Sequence, residues 1–161
     1  MTPFDEIAIG DRRELGRYTF TAEDIKRFAQ RYDPQPFHLD EEAAAGSIYG
    51  GLIASGWHTA SVFMKLSVED RVRMTAEMLA RGEKPVMSGP SPGFRNLRWI
   101  KPVYADDTLT YTMEIVGKRE LASRPGWGIV FARNTAVNQN GVLVFEFEGS
   151  FFVARRTTSS S

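Results

Sequence analysis

Between Ile53 and Ala80 the chain has no proline, and Gly56 is its only helix breaker. Ala60, Val62, Phe63, Met64 and Leu66 make the first half of this segment apolar nearly all round, the pattern of a helix that must be covered on most sides. Charge enters at Glu69, Asp70, Arg71 and Arg73, so the second half is expected to face solvent, and Gly82 suits the stop. After a loop over 82–93, rich in glycine and proline, the pattern changes period. Leu109, Tyr111, Met113 and Ile115 alternate with Thr108, Thr110, Thr112 and Glu114, as in a half-buried strand. Trp127, Ile129 and Phe131 open a second such run; Leu143, Phe145 and Phe147 open a third. Asn140-Gly141 between them is a hairpin signal, because both residues tolerate positive φ. Arg95 to Val103 predicts an earlier strand. Helices first and antiparallel strands after predict an α+β fold, with a curved sheet of at least four long strands wrapped around the long helix.

Upstream, residues 21–33 read as a shorter helix. Thr21 caps it, Phe20 and Ile25 flank the cap, and Ile25, Phe28, Ala29 and Tyr32 form one apolar stripe. Pro34 ends it, leaving Asp33 at the exit. Two prolines in the run Asp33-Pro34-Gln35-Pro36-Phe37-His38-Leu39-Asp40 predict a stiff, extended connector. Asp40 then caps a short helix through Glu41, Glu42 and three alanines, and Gly46 to Gly51 is a loop by composition. At 161 residues the chain is sized for one domain, expected over 1–156 with a disordered tail at 157–161.

Composition narrows the classes of function. Lysine plus arginine and aspartate plus glutamate number 20 each, so no net charge favours nucleic acid or an anionic membrane. The absence of cysteine removes disulfides, thiolate metal sites and a cysteine nucleophile, and no metal site is expected. Nothing at the start resembles a secretory leader, and no apolar run reaches the roughly 18 residues of a membrane span. A cytoplasmic protein is expected.

The chain has two histidines, His38 and His58, both near the same turn and helix start. A carboxylate at 33 and an imidazole at 38, facing one cavity, could polarise water and shuttle its proton, given a connector stiff enough to hold them. Taken alone, such a run more often makes a capped turn in which His38 packs on Phe37.

The segment Tyr32 to Asp40, followed by Leu52-Ile53-Ala54-Ser55-Gly56-Trp57-His58-Thr59-Ala60-Ser61, resembles the MaoC-like dehydratases, which include R-specific enoyl-CoA hydratases. Leu97 to Val103 and Asp106 to Leu109 resemble a strand pair of the same family, and the likeness spans roughly residues 5–155. It implies a hot-dog fold, usually dimeric, that acts on acyl-CoA thioesters with no further cofactor. A homodimer or a dimer of dimers is therefore expected. The resemblance also implies a catalytic pair, Asp33 and His38, a backbone N–H of Gly56 that receives the thioester oxygen, and Ser61 beside the pair. Gln35 stands where the family has asparagine, and Ser55 stands where it has the histidine of a His-Gly pair, with His58 two residues beyond Gly56. Phe37, Tyr49, Ile53 and Trp57 are expected to line an apolar tunnel with Gln35, Ser55, His58 and Ser61. Arg95, Arg98 and Lys101 are candidates for CoA phosphates, or simply a solvated strand face. The same fold hosts thioesterases, and a non-catalytic acyl-binding subunit is the remaining alternative.

Overall fold

The computed structural model describes residues 1–156; the tail at 157–161 lies outside the described residues. Five strands, β1 (Arg12–Thr19), β2 (Phe94–Trp99), β3 (Thr108–Glu120), β4 (Trp127–Val137) and β5 (Leu143–Ala154), form one sheet in the order β1-β3-β4-β5-β2. Every neighbouring pair is antiparallel. The helices α1 (Ala22–Tyr32), α2 (Pro36–Leu39), α3 (Glu41–Ala45) and α4 (Gly56–Ala80) all fall between β1 and β2 in sequence. α4 is the long apolar helix, and a single antiparallel sheet wraps it. This is the hot-dog arrangement.

The main core lies between α4 and the sheet, where Phe63 and Leu66 meet Leu15, Leu109, Tyr111 and Phe145. Burial removes apolar surface from water, about 25 cal/mol per Å², which is why the apolar half of α4 sits here. Tyr111 is fully buried, and its hydroxyl is satisfied by donating to the Thr59 carbonyl of α4 at 3.0 Å. Burial pushes that phenol far above its ordinary pKa. Among the described residues no helix is long and apolar enough to cross a membrane.

The caps follow the sequence. Thr21 Oγ1 accepts the Asp24 N–H at 3.2 Å and Asp40 Oδ1 accepts the Ala43 N–H at 2.8 Å. α4 closes with Gly82 at φ +75°; the Glu83 N–H reaches the Met78 carbonyl at 2.9 Å and the Gly82 N–H the Leu79 carbonyl at 3.0 Å. That pair of bonds is the glycine stop for which residue 82 is suited. The Asn140-Gly141 turn joins β4 to β5.

Four expectations change. The connector after Asp33 is not extended throughout: Pro36 to Leu39 form one helical turn, because proline's fixed φ suits the first helical position as well as an extended one. The central helix begins at Gly56, and Leu52 to Ala54 instead pair with Val103 to Ala105 through bonds of 2.8 and 3.0 Å. β2 ends at Trp99, short of Pro102. Asp70, expected on a solvated face, is buried, with its carboxylate held by Arg13 at 2.7 Å and Arg73 at 2.5 Å. A paired carboxylate can go where an unpaired one cannot.

Candidate active site

Asp33 caps the C-terminus of α1, its N–H bonded to the Ala29 carbonyl at 2.9 Å. The single turn of α2 then carries His38 back toward it, so that Nε2 lies 3.3 Å from Asp33 Oδ2. The other ring nitrogen, Nδ1, is 2.7 Å from the Ile53 carbonyl. A carbonyl can only accept, so Nδ1 carries a hydrogen in either charge state of the ring. The exchangeable position is therefore Nε2, which faces the carboxylate.

Two further side chains hold Asp33. Ser55 donates its hydroxyl to Oδ2 at 2.6 Å, and Gln35 donates from Nε2 to Oδ1 at 2.7 Å. Burial pushes the Asp33 carboxyl up, but these two donors and the neighbouring imidazole outweigh it, leaving the pKa below the ordinary aspartate value. Asp33 is thus a carboxylate at neutral pH. His38 and Ser55 are both buried. Phe37 packs edge-on against the His38 ring at 4.6 Å, and Tyr49 against Phe37 at 5.3 Å.

Ser55 is also the N-cap of α4, its Oγ accepting the Trp57 N–H at 3.3 Å. The His58 and Thr59 N–H groups both reach the Ser55 carbonyl. That leaves the Gly56 N–H as the donor of the first turn with no partner among the described residues. An unpaired N–H at the positive end of a 25-residue helix is a ready donor to an oxygen that gains charge.

Gly56 has no unusual backbone demand; its reason is space. A Cβ there would land inside the Trp99 indole, which lies directly on the start of α4. Trp99 also packs edge-on to Trp57 at 5.1 Å. Trp99 lies 43 residues downstream, in the stretch Leu97 to Val103 that resembles a family strand, and no local pattern places it at the helix start. A glycine at the first position of an apolar helix, where alanine is better by roughly 1 kcal/mol, was the available hint that something approaches closely.

The structure brings Asp33, Gln35, His38 and Ser55 into one hydrogen-bonded group, with Gly56, Ile53 and Phe37 against it. It does not bring His58 or Ser61 there. His58 is stacked on Phe28 at 4.6 Å and edge-on to Phe20 at 4.9 Å, and burial lowers its pKa to about 4, so the ring is neutral packing. Ser61 is exposed and donates to the Trp57 carbonyl of its own helix at 2.7 Å; the serine on the pair is Ser55. A cavity of about 650 Å³ opens further along α4 from Phe63 onward, and Phe37, Tyr49, Ile53 and Trp57 are not among its lining residues. Arg95 and Arg98 are held by Glu148 at 2.6 Å and Glu146 at 3.0 Å, while Lys101 is exposed.

A carboxylate and an imidazole 3.3 Å apart thus stand beside an unpaired helix N–H on a hot-dog scaffold. A family model described as "MaoC like domain" matches residues 6–126, and the chain belongs to that family. The solved structure of a MaoC-like dehydratase from Rhodospirillum rubrum is similar, with a TM-score of 0.78, 34% identity, and coverage of 97% of this chain and 99% of that one. The uncharacterized protein YdeM of Bacillus subtilis is 33% identical over 151 residues, 94% of this chain and 98% of its own length. The mesaconyl-CoA hydratase of Cereibacter sphaeroides is 32% identical over 68 residues, 42% of this chain and 20% of that longer one.

The Gly56–Trp99 contact makes a prediction. Gly56→Ala keeps the N–H yet should lower the unfolding midpoint in urea, because the indole must move. Trp99→Ala in the same chain should recover most of that loss. Additive losses in the double variant would show that the two residues do not meet.

Proposed function

We propose that this chain reversibly adds water across the carbon–carbon double bond of an enoyl thioester of the acyl-CoA type. The observation that carries this is the 3.3 Å approach of His38 Nε2 to Asp33 Oδ2 beside the unpaired Gly56 N–H. Hydration beside a thioester needs a base for water, an acid for the α-carbon and a donor for the enolate oxygen. The Asp33 carboxylate takes a proton from water as the oxygen bonds to the β-carbon. The Gly56 N–H holds the thioester oxygen while charge collects on it. His38 delivers the Nε2 proton to the α-carbon. The aspartic acid then returns its proton to Nε2, which restores the pair; dehydration is the reverse. Family membership and the partial likeness to a hydratase support this assignment.

Ser55 and Gln35 set the anionic state of the base in this scheme. Ser55 also fixes where the Gly56 N–H stands relative to Asp33, since one hydroxyl serves both. The acyl-CoA acts as substrate, and the site calls for no resident cofactor. A homodimer is part of the proposal. Among the described residues the outer edge of β2 pairs with no strand, and Phe94 and Trp99 on it, with Ile100 just beyond, are exposed, an edge that a second copy would cover.

Crotonyl-CoA assayed with a thiol reagent present should lose its enoyl absorbance without releasing thiol. Asp33→Asn and His38→Ala should fold normally and lose on the order of a hundredfold to ten-thousandfold in kcat/KM. Near wild-type rates in either variant would sink the dyad, and thiol release would make the enzyme a thioesterase.

Because Asp33 acts as the anion, the acid limb of kcat/KM should lie below the ordinary aspartate value of about 3.9. Its depressed pKa also stabilises the fold above the unfolded pKa, a contribution lost as pH falls through the folded one. Ser55→Ala removes a donor to the charged form, so the acid limb should move to higher pH. An unmoved limb with the same rate would mean Ser55 only caps the helix. In solution the native mass should be that of a dimer at micromolar concentration, read by light scattering.

A further inference from the structure

The start of α4 holds the end of α1 at two places. One is the bond from the Ser55 hydroxyl to Asp33 Oδ2 at 2.6 Å. The other is His58, three residues along α4, whose N–H reaches the Ser55 carbonyl at 2.9 Å. Its ring lies flat on Phe28 of α1, with centroids 4.6 Å apart and planes 4° from parallel. Phe20 meets the same ring edge-on at 4.9 Å, and Tyr18 of β1 at 6.2 Å. His58 is only 6% exposed, so β1, α1 and α4 meet in a closed aromatic joint.

What the joint does follows from where it falls on α1. The first half of that helix is seated without it: Thr21 caps it, Ile25 is buried in the main core, and Asp24 accepts from the Tyr18 hydroxyl at 3.0 Å. In the second half Ala29 is buried but small, while Gln30, Arg31 and Tyr32 are exposed, and Tyr32 rests on Phe28 at 5.0 Å. Phe28 is therefore the last large side chain of α1 that another element covers before Asp33. At 1.5 Å per residue, Asp33 stands about 7.5 Å beyond it. His38 is held separately, through Nδ1 on the Ile53 carbonyl. A tilt of the helix end about Phe28 would thus move Asp33 Oδ2 away from both Ser55 and His38 Nε2. A flat stack opposes that tilt, because lifting one ring gives up contact over its whole face. The ring acts here as a neutral surface. Asp24 and Arg27 of α1 are the charged groups that bear on it, they pull opposite ways, and burial keeps its pKa at about 4.

We propose that His58 is a positioning residue for Asp33: stacked on Phe28, it seats the end of α1 on the start of α4 and so sets the reach of the carboxylate to Ser55 and His38. It touches neither the substrate nor the pair. Its consequence for turnover rests on the hydratase reading above; its consequence for the state of Asp33 does not.

The test uses three variants. His58→Leu keeps an apolar side chain without a flat face, His58→Phe keeps the ring, and Phe28→Leu removes the other half of the stack. Crotonyl-CoA turnover and the titration of the Asp33 carboxyl, followed by carbon NMR, are measured on each at a temperature where circular dichroism shows it folded. His58→Leu should lower kcat on the order of tenfold to a hundredfold with KM little changed. Asp33 should then titrate at higher pH than in wild type, because the donors that favour its charged form recede. Phe28→Leu should do the same, and the double variant should lose no more than either single one, since both act through one contact. His58→Phe should keep kcat and the titration near wild type. A role confined to stability would lower the melting temperature and leave kcat and the Asp33 titration of the folded variants unmoved, and that result would overturn the inference. So would additive losses in the double variant, or a His58→Phe protein as impaired as His58→Leu. Should His58→Leu fail to fold, Phe28→Leu carries the same comparison from the α1 side. If wild type turned over no enoyl-CoA while the Asp33 titration still moved in the leucine variants and not in His58→Phe, the hydratase reading would fall and the positioning role would stand.

Discussion

The Ser55 hydroxyl lies at the joint between fold and site. It accepts the Trp57 N–H, starting the helix around which the sheet is wrapped, and it donates to Asp33 Oδ2. A hydroxyl can do both at once because it has one hydrogen and two lone pairs. The helix cap is thereby also the clamp on the carboxylate. Any shift of α4 along its axis would move the Gly56 N–H and Asp33 together. Acid–base catalysis depends on geometry held to a fraction of an ångström, and here the longest element of the fold supplies it.

Much of the fold was legible because two periodicities meet in this chain. The apolar wrapping of Ala60 to Leu66 and the alternation from Leu109 to Ile115 say what must be covered and by what. β1 was not read, and its irregularity explains why. The register shifts between Glu14 and Gly16, so the alternation that would mark it is broken within eight residues. β2 is an edge strand with five of its six residues exposed, so it carries no inward stripe, and its end at Trp99 could not be placed from the pattern. Asp70 shows a different limit. Its neighbours Glu69, Arg71 and Arg73 make the segment look solvated, yet one of the two partners that let it be buried, Arg13, lies far upstream on β1.

At the site, the closeness of Asp33 and His38 was expected from the family resemblance, since the run between them alone suits a capped turn. The approach comes from the single helical turn at Pro36 to Leu39 and not from an extended connector. The tertiary additions were not expected. Trp99 reaches Gly56 across 43 residues, and no local spacing announces it. Ser55 was placed by a resemblance from which it departs, and the structure gives that departure a physical role. Where the family pattern has a histidine, a smaller donor stands 2.6 Å from the carboxylate. His58 shows why a histidine near a site need not belong to it. It is enclosed by Phe20 and Phe28, where desolvation disfavours the cation, and the opposing pull of Asp24 is the smaller influence.

Two of the buried polar groups beneath the sheet, Asp70 and Asn134, differ in what they demand. Asp70 brings a full charge into the interior, and its cost is met inside the chain by two guanidiniums. Asn134 brings only an amide, yet its oxygen is unmet. A sequence under selection for stability alone would place leucine or valine at that inward position, as β4 does with Val130 two rungs away. A polar group kept where an apolar one would fit better is the kind of local inconsistency that marks function more often than accident.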